Sequence, residues 1–227
     1  MQTVSFANLR KGVFLSEQKN RFLCSVQIDK KTVPCYVPSS CHLANFMNLN
    51  GKTVLLAPTQ AASKTDYSLY AIPYKRKHIL LNTSLANTAI TANINSRRFS
   101  YLGKRKSIKK EYTYNNYKCD LYIEDSNSII EIKSVISINE PAVFPTVYSE
   151  RTIEQLNRIE KMLLSGCHIY WVFVSLNPYI RTLLIDKTTP FYSNFKKCVD
   201  YGMIVKGYTC FQKEDSLIIG SEIPVSF

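Results

Sequence analysis

Three charged residues late in the chain have the types and spacing that phosphoryl chemistry needs. Asp120 is followed, after ten intervening residues, by Glu131-Ile-Lys133. Alternate residues of a strand share a face, so Glu131 and Lys133 point the same way, and a hairpin can bring Asp120 beside them. Two carboxylates and substrate phosphate oxygens hold Mg²⁺, and a nearby lysine can orient or deprotonate water and stabilise developing charge. These are the groups that hydrolysis of a phosphodiester requires, but the spacing by itself is a weak signal.

A non-functional interpretation of the same pattern is a charged, solvent-exposed face of a strand. Glu131 and Lys133, however, interrupt an apolar stretch formed by Ile129, Ile130 and Ile132, where an unpaired charge is expensive to bury. A structural Glu–Lys pair would offset that cost, but it would not require Asp120 nearby.

The elements that must position these residues read as an α/β layer arrangement. Strands are predicted over 117–124 and 128–135 around the turn Asp125-Ser-Asn, and an almost wholly apolar strand over 168–176. Helices are predicted over 152–165, with a Thr152…Gln155 capping box and Gly166 as the stop, and over 190–201. Two more strands follow at 204–211 and 217–219.

The first part of the chain predicts a different architecture. Short strands rich in Val, Leu, Tyr and Ile are expected at 21–28, 32–37, 53–57, 67–73 and 79–82, without a periodic helix between them. Five such strands indicate a small barrel of the oligonucleotide-binding (OB) kind. A helix over 83–95, capped by Thr83 or Ser84, follows the barrel. We therefore predict a barrel over 1–83 and a mixed-sheet α/β domain over 84–227.

The charge balance favours a polyanionic partner. The 227 residues contain 29 Lys and Arg against 17 Asp and Glu, a formal charge of +12. Residues 1–80 carry 11 basic and three acidic residues, so the acids concentrate in the second part. A basic run, 104–110, and the Tyr-rich strand ending in a basic turn, 67–77, are candidates for phosphate contact, although strand tyrosines often serve packing. The predicted contacts are Lys75, Arg76, Lys77, Lys104, Arg105, Lys106, Lys109 and Lys110.

Other function classes have little support. No apolar run approaches the roughly 20 residues of a membrane span, and the N-terminus lacks a secretion signal, so a cytoplasmic protein is expected. The seven cysteines are odd in number and lack C-x-x-C spacing, which argues against a disulfide framework. Cys35, Cys41 and His42 lack a fourth ligand for a metal site, so buried thiols are the better interpretation.

Several short motifs occur in a fixed order from about residue 20 onwards. They include Leu81-Asn-Thr-Ser-Leu-Ala-Asn87, Lys118-Cys-Asp120 and Ile130-Glu-Ile-Lys-Ser-Val135, together with Arg21-Phe-Leu, Glu111-Tyr-Thr-Tyr114, Phe144-Pro, Ser149-Glu-Arg151 and Ile223-Pro-Val. In these motifs and their order the chain resembles the bacterial sugar fermentation stimulation (SfsA) family. The resemblance implies an OB-like barrel joined to a nuclease domain of the PD-(D/E)XK superfamily.

The resemblance also implies residue roles. Asp120 and Glu131 would be the metal ligands and Lys133 the catalytic lysine, with Glu111 as an outer ligand or base. Arg21 and Arg151 become candidate nucleic-acid contacts, although an end-of-helix ion pair would explain Glu150-Arg151 equally well. The sequence departs from the family pattern where Thr146 follows Phe-Pro in place of an acid and where Gln155 replaces a histidine.

Two hypotheses follow. The first is a nuclease dependent on Mg²⁺ or Mn²⁺ that cleaves DNA, or alternatively RNA, with sequence-tolerant binding. The second is a non-catalytic DNA-binding regulator of sugar metabolism genes whose nuclease site is vestigial. No helix-turn-helix or zinc finger is visible in the sequence, so backbone-driven binding is expected in either case.

Overall fold

A computed structural model describes residues 5–39 and 41–227. Its first part is a six-stranded sheet in the order β3-β2-β1-β4-β5-β6, which β3 closes by pairing in parallel with β5. The closed ring contains five strands, and β6 extends it from β5, so the OB-like barrel is confirmed. The strands are β1 (Arg10–Glu17), β2 (Leu23–Ile28), β3 (Lys31–Tyr36), β4 (Thr53–Pro58), β5 (Tyr67–Tyr74) and β6 (Lys77–Leu80).

The composition of the barrel differs from the sequence prediction in one strand. The prediction omitted β1 and counted β6 among the five. In β1 only Gly12 and Phe14 are buried, and the remaining residues are exposed or half-buried. Two inward residues among eight give a weak alternation, which explains why the strand is missed in the sequence.

The second part is built on a mixed six-stranded sheet in the order β16-β15-β13-β11-β10-β7. Strands β11, β13 and β15 run parallel, whereas β10, β7 and β16 are antiparallel to their neighbours. The predicted α/β arrangement is therefore confirmed. These strands are β7 (Ile108–Lys110), β10 (Leu121–Ile123), β11 (Ser128–Val135), β13 (His168–Ser175), β15 (Ile204–Lys213) and β16 (Ser216–Glu222).

Small elements complete this part, and all of them except the strand at Tyr117–Lys118 were absent from the sequence prediction. A three-stranded parallel sheet has the order β12-β14-β17, and β8 pairs with β9 as a hairpin. Their bounds are β8 (Thr113–Tyr114), β9 (Tyr117–Lys118), β12 (Ala142–Phe144), β14 (Leu183–Ile185) and β17 (Val225–Ser226). Short 3-10 helices lie at Phe6–Asn8, Leu43–Asn45, Arg97–Leu102 and Glu124–Ser126.

The helices cover the two faces of the mixed sheet. They are α1 (Leu85–Asn93), α2 (Glu150–Leu164) and α3 (Pro190–Asp200). Helix α1 shares one hydrophobic core with the barrel and with Ile130 and Ile132 of β11. Helices α2 and α3 pack on the opposite face, against Ile129 and Trp171. Since residues alternate along β11, Glu131 and Lys133 belong to the face that α2 covers.

Two local predictions were wrong. Helix α2 begins at Glu150, and its N-cap is Ser149, whose side chain accepts a hydrogen bond from the Thr152 N–H. The predicted Thr152…Gln155 capping box therefore does not form, because both residues lie inside the helix. Asp120 does not lie within one long strand, since it occupies a bend between β9 and β10.

The remaining structural expectations concern cysteines and membranes. All seven cysteines are free, and six of them are buried, which fits small apolar packing residues. Among the described residues, no helix has the length and apolarity to cross a membrane.

Candidate active site

The register of one antiparallel pair brings the predicted charged residues together. Leu121 of β10 lies opposite Ile130 of β11, so Asp120, one residue earlier, lies beside Glu131. Glu131 and Lys133 project from the same side of β11, and the Lys133 Nζ is 3.5 Å from a Glu131 carboxylate oxygen. The hairpin geometry predicted from the sequence is therefore confirmed.

Asp120 is held at both carboxylate oxygens. The Asn87 side-chain amide donates to Oδ1 at 2.8 Å, and the Ile132 backbone N–H donates to Oδ2 at 2.8 Å. Each carboxylate oxygen has two lone pairs, so both oxygens keep acceptor capacity toward the cleft. Helix α1 and strand β11 thus fix the orientation of Asp120 from two directions.

Glu131 is the most unusual residue of the site. It is 1% exposed, and its buried Oε1 atom makes no hydrogen bond of normal geometry, although the neighbouring Tyr117 hydroxyl interacts with the carboxylate. Burial raises the pKa of the Glu131 carboxyl from 4.5 to about 7; Lys133 and the Tyr117 hydroxyl oppose this change, and Asp120 adds to it. A buried carboxylate oxygen without a hydrogen bond of normal geometry is costly in a folded protein and calls for an explanation such as an ion.

Lys133 is held in place by a polar contact and an aromatic ring. Its Nζ donates to Gln155 Oε1 at 2.8 Å and lies 4.7 Å from the ring centroid of Trp171. The Lys133 side chain is 17% exposed, so its ammonium group reaches the cleft while most of its stem is covered. Gln155 therefore positions Lys133 beside Glu131.

These residues line a cleft of about 820 Å³ between the barrel and the mixed sheet. Arg21 and Arg151, which the sequence predicted as nucleic-acid contacts, also line it. Glu111 lies at the cleft as well, but its side chain is 74% exposed and pairs with Lys118 at 2.7 Å. Hydrogen bonding to Lys118 lowers the pKa of Glu111, so the structure places this carboxylate with a cation and not with Asp120 or Glu131.

The other predicted basic residues lie outside this cleft. Lys104 and Lys109 pair with Asp125 and Glu124, at the end of β10 that is remote from Asp120. Of the β5–β6 turn, Lys75 stacks on Tyr74 and Tyr179, and Lys77 on Phe211. Their roles stay predictions, and so do those of the other outlying cations, which are Arg76, Arg105, Lys106 and Lys110.

Two positioning residues, Asn87 and Gln155, were not assigned to the site by the sequence prediction. Asn87 lies in the 81–87 segment that carries the resemblance, but only tertiary structure brings it to Asp120. Gln155 was noted in the sequence as a departure from the family pattern, and in the structure its side-chain oxygen accepts a hydrogen bond from Lys133. Tyr117 is a third neighbour, since the Glu131 charge adds to burial in raising the pKa of its hydroxyl.

The donor set fits a hard divalent cation with few protein ligands. Asp120 and Glu131 supply carboxylate oxygens, and one Glu131 oxygen makes no hydrogen bond of normal geometry. Among residues 5–39 and 41–227, no group of three or more His, Cys, Asp or Glu side chains could hold a metal. Mg²⁺ commonly uses one or two carboxylates together with water and substrate phosphates.

An OB-like barrel followed by a mixed-sheet α/β domain, with Asp120, Glu131 and Lys133 in the cleft between them, is the architecture of this chain. The family model for the "Sugar fermentation stimulation protein RE domain" matches residues 84–216. The chain therefore belongs to the sugar fermentation stimulation protein family.

Relatives of full length support this assignment. A homologue from Desulfitobacterium hafniense (strain DSM 10664 / DCB-2) is 26% identical over 228 residues, covering 98% of each chain. A homologue from Desulforamulus reducens is 24% identical over 222 residues, covering 96% of this chain and 92% of the homologue. The solved structure of Pyrococcus furiosus SfsA in complex with Ca²⁺ matches with a TM-score of 0.85, at 20% identity and full coverage of both chains. That likeness shows the shared fold.

Proposed function

We propose that this protein is a metal-dependent nuclease that hydrolyses phosphodiester bonds of DNA or RNA, using Mg²⁺ or Mn²⁺. The observation that carries the proposal is Glu131, a buried carboxylate placed beside Asp120 and Lys133 in a cleft, whose Oε1 makes no hydrogen bond of normal geometry. A purely structural Glu–Lys pair would satisfy its oxygens internally and would not line an open cleft with a second carboxylate.

Asp120 and Glu131 are the residues that would hold the ion. A bound Mg²⁺ supplies Lewis-acid stabilisation of the phosphate and activates water. Asn87 and the Ile132 N–H hold the Asp120 carboxylate in one orientation before the ion binds. The Pyrococcus furiosus relative is in complex with Ca²⁺, which is also a hard cation that prefers oxygen ligands, and this supports the choice of ion.

Lys133 is proposed to orient the attacking water and to stabilise the charge that grows on the phosphate. Its ammonium group is fixed by Gln155 and by the Trp171 ring, so little reorganisation is needed when substrate arrives. Arg151, in the first turn of α2, and Arg21, on the barrel side, line the same cleft and would contact flanking phosphates.

The non-catalytic DNA-binding function is the second candidate, and a specific observation favours it. Position 146 supplies no carboxylate, and the Thr146 hydroxyl donates to the Val143 backbone carbonyl at 3.4 Å. The site therefore has two clustered carboxylates where a third could assist the ion. A protein of this second kind would bind nucleic acid without any effect of Mg²⁺.

Lys133→Ala and Asp120→Asn separate the two candidates. Calorimetric titration with Mn²⁺ and cleavage assays on single-stranded and duplex DNA and RNA are run in parallel. Lys133→Ala is expected to keep Mn²⁺ affinity within a few-fold but to lose cleavage by about 10²-fold or more, as for removal of a positioned charge or proton donor. Asp120→Asn is expected to lose both.

Lys161→Ala is the matched control, because Lys161 is an exposed residue in the last turn of α2, away from the cleft. It should behave as the wild type in both assays. Cleavage that survives Lys133→Ala would contradict the assignment of the catalytic lysine. A folded wild type that binds nucleic acid but neither Mn²⁺ nor Mg²⁺ would establish the non-catalytic function instead.

A further inference from the structure

An exposed pair of aromatic rings stands on the barrel next to Arg21, a residue that lines the cleft. Phe22 and Tyr36 are 39% and 37% exposed, and their rings are nearly parallel, with centroids 6.3 Å apart and an interplanar angle of 17°. Phe22 immediately precedes β2 and Tyr36 ends β3, which are the barrel strands joined by Leu23↔Tyr36 pairing. We refer to these two rings as the aromatic platform.

The aromatic platform is connected to the proposed active site by one residue. The Arg21 guanidinium carbon lies 4.6 Å from the Phe22 ring centroid, and Arg21 itself lines the cleft that contains Asp120 and Lys133. A strand whose phosphates contact Arg21 would therefore bring its neighbouring bases onto Phe22 and Tyr36. The loop between the first two strands and the strand 2–3 face are where OB barrels bind oligonucleotides.

The α2 part of the cleft carries a third exposed aromatic residue. Tyr148 is 65% exposed and precedes the N-cap of α2, and Arg151 follows in the first helical turn. Both residues line the cleft. The cleft thus has two arginines, Arg21 and Arg151, each close in sequence to an exposed ring, and this combination of phosphate contacts and stacking surfaces is typical of single-strand binding grooves.

We infer that the nucleic acid taken by this cleft is single-stranded, with unpaired bases stacked on the platform of Phe22 and Tyr36. The inference rests on the proposed function and names its substrate class. In a duplex the bases stack on one another, and the surface that faces a protein groove is mainly phosphate and sugar. Duplex DNA could contact Arg21 but could not place a base face on either ring. The +12 charge of the chain would attract single-stranded and duplex nucleic acid alike. The exposed rings are therefore the feature that favours a single strand over a duplex.

The inference is tested by fluorescence anisotropy with labelled oligonucleotides of about 12 nucleotides, a length that one OB barrel can cover. Oligo-dT and oligo-rU are compared with blunt duplexes in the presence of EDTA, so that cleavage plays no part. The wild type is expected to bind the single strands roughly ten-fold or more tightly than the duplexes. The DNA and RNA arms distinguish the two sources of single strands.

Phe22→Leu and Tyr36→Leu remove the ring while keeping apolar volume. Each is expected to weaken single-strand binding by roughly five-fold or more, the range for loss of one base–aromatic stack, and to leave duplex binding unchanged. The salt dependence should keep its slope in both variants, because no phosphate contact is lost. Phe22→Tyr retains a ring and should bind as the wild type.

Tyr201→Leu is the matched control, since Tyr201 is a 50% exposed aromatic residue at the end of α3 and does not line the cleft. Equal affinity for single strands and duplexes, or a Phe22→Leu variant that binds single strands as the wild type does, would overturn the inference. Ring-dependent single-strand binding without metal-dependent cleavage would reject the nuclease proposal alone, because binding is measured without metal. Cleavage with no dependence on either ring would reject the platform alone.

Discussion

Replacing Glu131 with glutamine is expected to make the metal-free protein more stable above neutral pH. Burial raises the pKa of Glu131 to about 7, which means that the folded protein disfavours the ionised carboxylate. Glutamine keeps the shape of the side chain but carries no charge. A residue proposed to bind the ion is thus expected to destabilise the protein while the ion is absent.

The magnitude follows from the two pKa values. The carboxyl titrates near 4.5 in the unfolded chain and near 7 in the folded protein, a difference of about 2.5. At about 1.4 kcal/mol for each tenfold change in proton affinity, ionised Glu131 costs about 3.5 kcal/mol of stability, most of which is lost between pH 5 and 8. The folded state binds the Glu131 proton more tightly than the unfolded chain does. Protonation of Glu131 therefore stabilises the folded protein fully below pH 4.5, and this stabilisation is lost as the pH rises through 7.

Urea unfolding at several pH values between 5 and 8, in EDTA, measures this effect. Trp171 is the single tryptophan, is fully buried and lies beside Lys133, so its fluorescence reports loss of the native site. The free energy of unfolding of Glu131→Gln relative to wild type should rise with pH by about 3 kcal/mol and level off above about pH 8. Other carboxylates titrate in both proteins, so the difference isolates Glu131.

Glu154→Gln provides the control, because Glu154 is an exposed glutamate of the same helix that holds Gln155. It should show no comparable pH dependence relative to wild type. The reasoning is refuted if Glu131→Gln is less stable than wild type at pH 8, or if the difference between them does not change with pH. Added Mn²⁺ should stabilise wild type by about 2.7 kcal/mol at a hundredfold excess over its dissociation constant, but should not stabilise Glu131→Gln.

Two further predictions concern positions that the sequence alone did not single out. Asn87→Ala removes the donor that holds Asp120 and should weaken Mn²⁺ affinity about tenfold by calorimetry; Asn93→Ala, in the same helix but bonded to backbone carbonyls, should not. Gly207→Ala should lower the free energy of unfolding by about 1–3 kcal/mol, because its added Cβ would lie 2.8 Å from the Ile223 backbone oxygen. A Gly207→Ala protein as stable as wild type would contradict this close approach of β15 to the C-terminal segment.

The local patterns of the sequence predict much of the fold. The apolar run that became β13 predicts a buried central strand, and the two amphipathic segments predict α2 and α3, because burial on one face or both leaves a readable periodicity. Strand β1 was missed because it lacks such a periodicity: only Gly12 and Phe14 of its eight residues are buried. Strands β12, β14 and β17 have only two or three residues, which is too short for an alternating hydrophobic pattern. They are recognised as strands only because they pair with one another in the folded protein.

The candidate site divides in the same way. The sequence by itself determined that Asp120, Glu131 and Lys133 could meet, because a hairpin and the two-residue period of a strand are local properties. Tertiary structure alone decided that Asn87 and Gln155 hold two of these residues, and that Glu131 is buried with a pKa of about 7. Those properties depend on helices that pack from distant parts of the chain and exclude water from the site. The spacing of residues in the sequence contains no information about either.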